Sequence, residues 1–262
     1  MELEAKNVSA VRGKTTILQN VSVSFRSNRF YGIIGPNGAG KTTLLHLLSG
    51  TDTPNSGEVR LAGNPISQIP RKAVAQKLAV LQQGGIPPVG FTAREIVSMG
   101  RYPHQNWLGH DSGDAEKIVE EAMLIAGVRH LQERRIHQLS GGERQRVALA
   151  KLMAQQPEVL LLDEPTTYLD IGFQIELLDA VRSWQKESGL LVIAVLHDLN
   201  LASLYCDELI AIQDGKIGAS GTPEQVLQAE LIQSIYGAKS TIVKHPESGK
   251  PQILLHSGIG AE

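Results

Sequence analysis

Three short runs along the chain are apolar on both faces: residues 30–34 (FYGII), 159–162 (VLLL) and 190–196 (LLVIAVL). Polar positions do not alternate within them, so each must be covered on both sides. That pattern predicts the buried strands of a parallel sheet flanked by helices. Ahead of the first run, residues 3–8 and 21–25 have β-type composition, and Gly13-Lys14 reads as a turn between strands. The run at 30–34 feeds a Gly-rich loop and then a helix over 42–49, stopped by Gly50. Between about 86 and 156 the strand signal disappears and helical spacing takes over. Ile118, Val119, Ala122, Met123 and Ala126 share one face within 114–126, with acids outside. Gly84-Gly85 and Pro87-Pro88 read as a joint leading into this helical lobe. Later, Asp214-Gly215 signals a hairpin, Thr222-Pro223-Glu224-Gln225 a capped helix start, and 241–255 a last hairpin around residues 246–249.

Composition narrows the class. The 262 residues are 42% hydrophobic and 20% charged, a globular composition of a length that suits one domain with an internal lobe. With 25 basic and 27 acidic residues the net charge is -2, and aromatics are 4%. There is no global basic field and few stacking platforms, which disfavours a nucleic-acid partner. The run at 190–196 is far shorter than the roughly 20 residues that cross a bilayer. The acidic start, Met1-Glu2-Leu3-Glu4, lacks the character of a secretory signal, and the single Cys206 fits a reducing compartment. A cytoplasmic protein is expected.

Chemistry concentrates in three segments. Gly35-Pro36-Asn37-Gly38-Ala39-Gly40-Lys41-Thr42, followed by Thr43, satisfies G-x-x-x-x-G-K-[ST] between a predicted strand and a predicted helix. Its glycines let successive N–H groups turn onto phosphate oxygens at a helix N-terminus, Lys41 can reach the outer phosphates, and the Thr42 hydroxyl can ligate magnesium. Asp163, ending the apolar run at 159–162, is the candidate metal carboxylate, and Glu164 beside it the candidate general base for an attacking water. Alone, an acid after four apolar residues is ordinary strand-end solvation; the phosphate loop changes that weighting. In the third segment, Ser140-Gly141-Gly142-Glu143-Arg144-Gln145-Arg146, a Ser cap and two glycines open a helix that runs to about Gln155, forming a second anion site.

Together these segments resemble the ATP-binding cassette ATPases, whose signature the Ser140 segment matches. The resemblance implies an α/β fold of the P-loop NTPase class: a RecA-like parallel-sheet core over about 1–85 and 157–220, with an antiparallel N-terminal β-subdomain. It also implies an α-helical subdomain near 86–156 and a C-terminal extension from 221 to 262. Gln83 matches the family glutamine that touches magnesium and the attacking water, and Asp170, within Thr167-Tyr168-Leu169-Asp170, the loop that reaches a partner subunit. His197 matches the histidine that contacts the terminal phosphate. The family usually stacks an aromatic on adenine; Ala10-Val11-Arg12-Gly13 has none, so either the Arg12 guanidinium stacks on the base instead or the adenine is held loosely. Implied, then, are ATP with Mg2+ held by Thr42, Gln83 and Asp163, and a second copy whose Ser140, Gly141, Gly142 and Glu143 complete the nucleotide site.

Within that family, one cassette without a long heptad insertion disfavours the ribosome-acting and chromosome-maintenance members. Gly100-Arg101-Tyr102-Pro103-His104 resembles a stretch of the ATPases serving iron-siderophore, haem and cobalamin importers, and the tail over 222–252 resembles the haem members. Haem import is therefore expected, with a siderophore or cobalamin importer, or a soluble non-transport cassette protein, as alternatives. The resemblance implies two permease subunits, a periplasmic binding protein acting indirectly, and a peripheral location on the cytoplasmic face of a bacterial inner membrane.

Overall fold

The computed structural model describes residues 1–257 except 112 and 168. It divides into two compact units, one made of Met1–Ser67 with the chain from Val192 onward, the other of Gln68–Leu191.

The first unit opens with β1 (Glu2–Arg12) and β2 (Thr15–Arg26), then β3 (Phe30–Ile34), α1 (Lys41–Leu48), β4 (Ser56–Leu61) and β5 (Asn64–Pro65). One sheet of this unit has the order β2-β1-β4-β5, antiparallel throughout. Its first two strands run longer than composition predicts. Register shifts between Ala5 and Val8 and between Val8 and Ala10, with Asn7 at φ 51°, break the inside–outside alternation. Ala5 and Val8 therefore both face inward although three positions apart, which hides a continuous strand from a period-2 reading.

The second unit contains α2 (Arg71–Lys77), β6 (Leu78–Leu81), α3 (Ala93–Ser98), α4 (Ala115–Ile125), α5 (Gly141–Gln155), β7 (Val159–Asp163) and α6 (Ile171–Ser188). Strands β6 and β7 pair in parallel, from Leu78 opposite Val159 to Leu81 opposite Leu162. Helices α3, α4 and α5 pack on one another around Ile96, Val97, Met123 and Leu149. Each has a side-chain cap: Thr92 accepts from the Glu95 N–H, Asp114 from Lys117 and Ser140 from Glu143. The stretch at 99–104 is a 3₁₀ turn tied down by Arg101, whose Nε and Nη2 meet Asp111 at 2.8 and 2.9 Å while Nη1 donates to the Ala154 carbonyl. Gly100 makes this contact possible, since a Cβ there would lie 2.2 Å from the Lys151 oxygen.

The chain re-enters the first unit through β8 (Leu191–Val195), α7 (Leu199–Tyr205), β9 (Glu208–Gln213) and β10 (Lys216–Gly221). It ends with α8 (Pro223–Val226), α9 (Ala229–Tyr236), β11 (Ser240–Lys244) and β12 (Pro251–Leu255). Here β3 lies between β8 and β9, parallel to both, and β10 returns antiparallel to β9 through the turn at Asp214-Gly215. Phe30, Ile33, Ile34, Val192 and Ile193 are fully buried. Burying each such side chain favours folding by roughly 1.5–3 kcal/mol, so the strand that leads into the Gly-rich loop is anchored in the core.

Candidate nucleotide site

In the first unit, the loop after β3 turns where only glycine fits. Gly35 has φ 144°, and a Cβ there would sit 2.1 Å from the Ile212 carbonyl oxygen of β9. Gly40, at φ 102°, would press a Cβ to 2.6 Å from Leu18. The loop is thereby drawn against β9 and β2 before α1 begins. Lys41 is 5% exposed and folds back into the loop it follows, donating to the Gly35 and Pro36 carbonyls at 2.8 and 2.9 Å. A buried ammonium ringed by carbonyls, at the start of a helix whose first N–H groups face outward, suits an anion arriving from outside the loop. Asn37 and Gly38 are exposed at the loop's tip, and Thr42 and Thr43 are half-buried on the first turn of α1. Tyr236, the last residue of α9, sets its phenolic oxygen on the Gly35 N–H. Burial pushes that phenol up to about 12, so it keeps its proton.

Arg12 forms an ion pair with Asp52, and His46 lies 3.7 Å from the same carboxylate. His197 is exposed two residues past the end of β8, where Asp198 caps α7 by accepting from the Asn200 and Leu201 N–H groups at 2.8 and 3.0 Å.

In the second unit, strand register brings the acidic and amide groups together. Leu81 pairs with Leu162, so two residues beyond that pair, past the ends of both parallel strands, lie Gln83 and Glu164. Gln83 Nε2 donates to Glu164 Oε2 at 2.7 Å, and the Thr167 hydroxyl donates to the same oxygen at 3.3 Å. Glu164 adopts φ 48°, turning the chain sharply off β7 just after Asp163, which is 3% exposed. Gln145 of α5 donates to the Pro165 carbonyl at 3.0 Å and so ties that helix to this turn. Ser140 and Glu143 cap that helix reciprocally, and the Ser140 N–H holds the Glu143 carboxyl below the usual glutamate range. Gly141 is exposed, while Gly142 lies under the Phe173 ring, which a Cβ would meet at 2.8 Å. Asp170 caps α6 by accepting from the Phe173 N–H at 3.0 Å; Tyr168 of the same loop lies outside the described residues.

No cluster of three or more His, Cys, Asp or Glu able to hold a metal ion occurs among the described residues. In the second unit the Asp163 carboxylate and the Gln83 amide, and in the first the Thr42 hydroxyl, are oxygen donors of the kind that suit a hard cation such as magnesium. Sequence reasoning missed Thr167 as a partner of Glu164 and Tyr236 as a partner of the loop, because both meet their targets through turns and tertiary packing.

The ABC transporter family profile matches residues 18–167, more than half of the chain. This chain belongs to the ABC transporter family. As such it is an ATP-hydrolysing transport subunit, and the α/β cassette fold inferred from its motifs is borne out. The ferric enterobactin transport ATP-binding protein FepC of Escherichia coli is 41% identical to this ABC subunit over 96% of the chain and 93% of its own length. The hemin import ATP-binding protein HmuV of Rhodococcus jostii is 39% identical over 96% of the chain and 85% of its own. The Bacillus subtilis ABC transporter ATP-binding protein YvrA is 43% identical over 97% of the chain, which spans 58% of that relative's length. A solved dimeric bacterial ABC transporter cassette aligns with TM-score 0.73 and 27% identity, covering 84% of this chain and 98% of that one. No helix among the described residues is long and apolar enough to cross a membrane.

Proposed function

We propose that this ABC subunit powers a bacterial importer, most specifically of haem, by hydrolysing ATP on the cytoplasmic face of the inner membrane. The observation that carries the hydrolytic part is the hold on Glu164: a carboxylate one residue past buried Asp163, oriented by Gln83 at 2.7 Å. Gly35 to Thr43 bind the triphosphate, with Lys41 on its outer phosphates, and Arg12 lies against the base. Thr42, Asp163 and Gln83 would hold magnesium, which when bound neutralises phosphate charge. Glu164 takes a proton from the attacking water as the water oxygen bonds to the γ-phosphorus and the bond to the β–γ bridging oxygen breaks, releasing ADP. His197 contacts the γ-phosphate, and Gln83 aligns the water with Glu164.

Two copies complete two sites, the Ser140 helix start of one facing the phosphate loop of the other, with Asp170 reaching across. The dimeric assembly of the cassette relative at 27% identity supports this reading. Two permease subunits dock on the helical segment that follows Gln83, including residues 94–101, and a periplasmic binding protein supplies the cargo; haem itself never touches this chain. The haem assignment rests on the tail over 222–252. Ferric-siderophore import is the second reading, favoured by FepC at 41% against 39% for HmuV. Transport by the subunit reconstituted with its permease, offered haem, ferric enterobactin and cobalamin in turn, decides the cargo. Uptake of a ferric siderophore alone would overturn the haem assignment, and ATP-independent uptake would overturn the role of the subunit.

A further inference from the structure

The hairpin of β11 and β12 is gripped along the whole length of α7, the helix that starts two residues after His197, past its cap Asp198. At the first turn, Asn200 exchanges two bonds with the Ile253 backbone: the Ile253 N–H donates to Asn200 Oδ1 at 2.7 Å, and Asn200 Nδ2 donates to the Ile253 carbonyl at 3.4 Å. In the middle, the fully buried Ser203 hydroxyl donates to the Pro251 carbonyl at 2.6 Å. At the far end, Lys250 Nζ donates to the Leu204 and Cys206 carbonyls at 3.0 and 3.1 Å, placing a cation on the negative end of the helix. A helix of seven residues is too short to hold itself in water, so its position depends on such outside contacts. A hairpin with only a surface role would not pair a buried hydroxyl and terminal helix carbonyls with its own backbone and lysine.

We infer that the C-terminal hairpin is a brace that positions His197 for hydrolysis, acting through Asn200, Ser203 and Lys250 on the turn that His197 shares with the start of α7. Asn200, three residues past His197, is the positioning residue that links the two. The inference rests on the proposed contact of His197 with the γ-phosphate, and it adds that the tail, beyond the residues matched by the family profile, sets the turnover rate.

The test uses the full-length chain carrying Asn200→Ala, Asn200→Asp or Lys250→Met, with amide hydrogen exchange over 197–203 and steady-state ATP hydrolysis as separate readouts. Exchange over 197–203 should quicken about tenfold in Asn200→Ala and Lys250→Met, because local opening of α7 no longer breaks the hairpin contacts. The kcat of Asn200→Ala should fall about fivefold with KM for ATP within twofold, and Asn200→Asp, which still accepts from the Ile253 N–H, should recover part of the loss. In a His197→Ala background Asn200→Ala should change kcat less than twofold, since the two act through one step. Unchanged exchange, a kcat loss of equal size in both backgrounds, or a KM that rises in step would overturn the brace. Full turnover in His197→Ala alone would refute the role of His197 itself, whereas fast exchange with normal kcat in Asn200→Ala, alongside an inactive His197→Ala, would overturn only the coupling of the hairpin to turnover.

Discussion

Replacing Glu164 by Gln removes the proposed base while leaving its surroundings almost untouched. The new amide oxygen can still accept from Gln83 Nε2, now at 2.7 Å, and from the Thr167 hydroxyl, now at 3.3 Å. The backbone strain at φ 48° is unchanged, because Glu and Gln share the same Cβ and stem. Stability and ATP binding should therefore stay within about twofold of the unmodified protein. What is lost is the proton acceptor: a positioned general base contributes about 10²- to 10⁴-fold. That range corresponds to about 3–5.5 kcal/mol of barrier. Phosphate release under excess Mg–ATP should fall by that factor, nucleotide retention on a filter should not, and gel filtration with ATP should show a nucleotide-loaded dimer. Hydrolysis within threefold of the unmodified rate would refute the assignment of Glu164 as base, and His197 assisted by Gln83 would become the better candidate for positioning the water.

The Arg101 guanidinium holds the nearly buried Asp111 carboxyl down to about 2, against about 3.9 when unfolded. A lowered acid pKa adds stability that is present above the unfolded value near 3.9, complete by about pH 5, and lost as pH falls through 2, here about 2.5 kcal/mol. Asp111→Asn should cost about 3–5 kcal/mol by leaving Arg101 without its charge partner, and should flatten the acid limb of a thermal-unfolding series between pH 4 and 2. Tyr236→Phe removes the oxygen on the Gly35 N–H and should raise KM for ATP about two- to tenfold, with a smaller effect on kcat. Because the phenol titrates only near 12, that effect should be flat from pH 6 to 9, as a pH series of KM would show. Ser140→Arg should abolish hydrolysis while nucleotide binding by a single copy persists; equal loss of both in equilibrium binding and turnover assays would place the signature in its own chain's site.

The sequence by itself determined the elements whose chemistry is local. An apolar run must be a buried strand, and Gly35, Gly40 and Lys41 carry their loop in consecutive residues. Asp163 and Glu164 end a strand whose burial can be read from four leucine or valine side chains, and the caps at Asp114 and Ser140 lie within three residues of the N–H groups they accept from. Residues far apart in the chain were decided only by tertiary structure. The partnership of Gln83 with Glu164 depends on the register of β6 against β7, a pairing across 81 residues that no local pattern encodes. The bulges of β1 break the very alternation that would announce a strand. Arg101, read from sequence as part of a resemblance, proves to be a buried clamp on Asp111 and α5. The last hairpin is legible as a hairpin around residues 246–249, but its hold on α7, through the Pro251 carbonyl, the Ile253 N–H and carbonyl and the Lys250 ammonium, is set by where the folded chain returns and not by which residue types stand beside them.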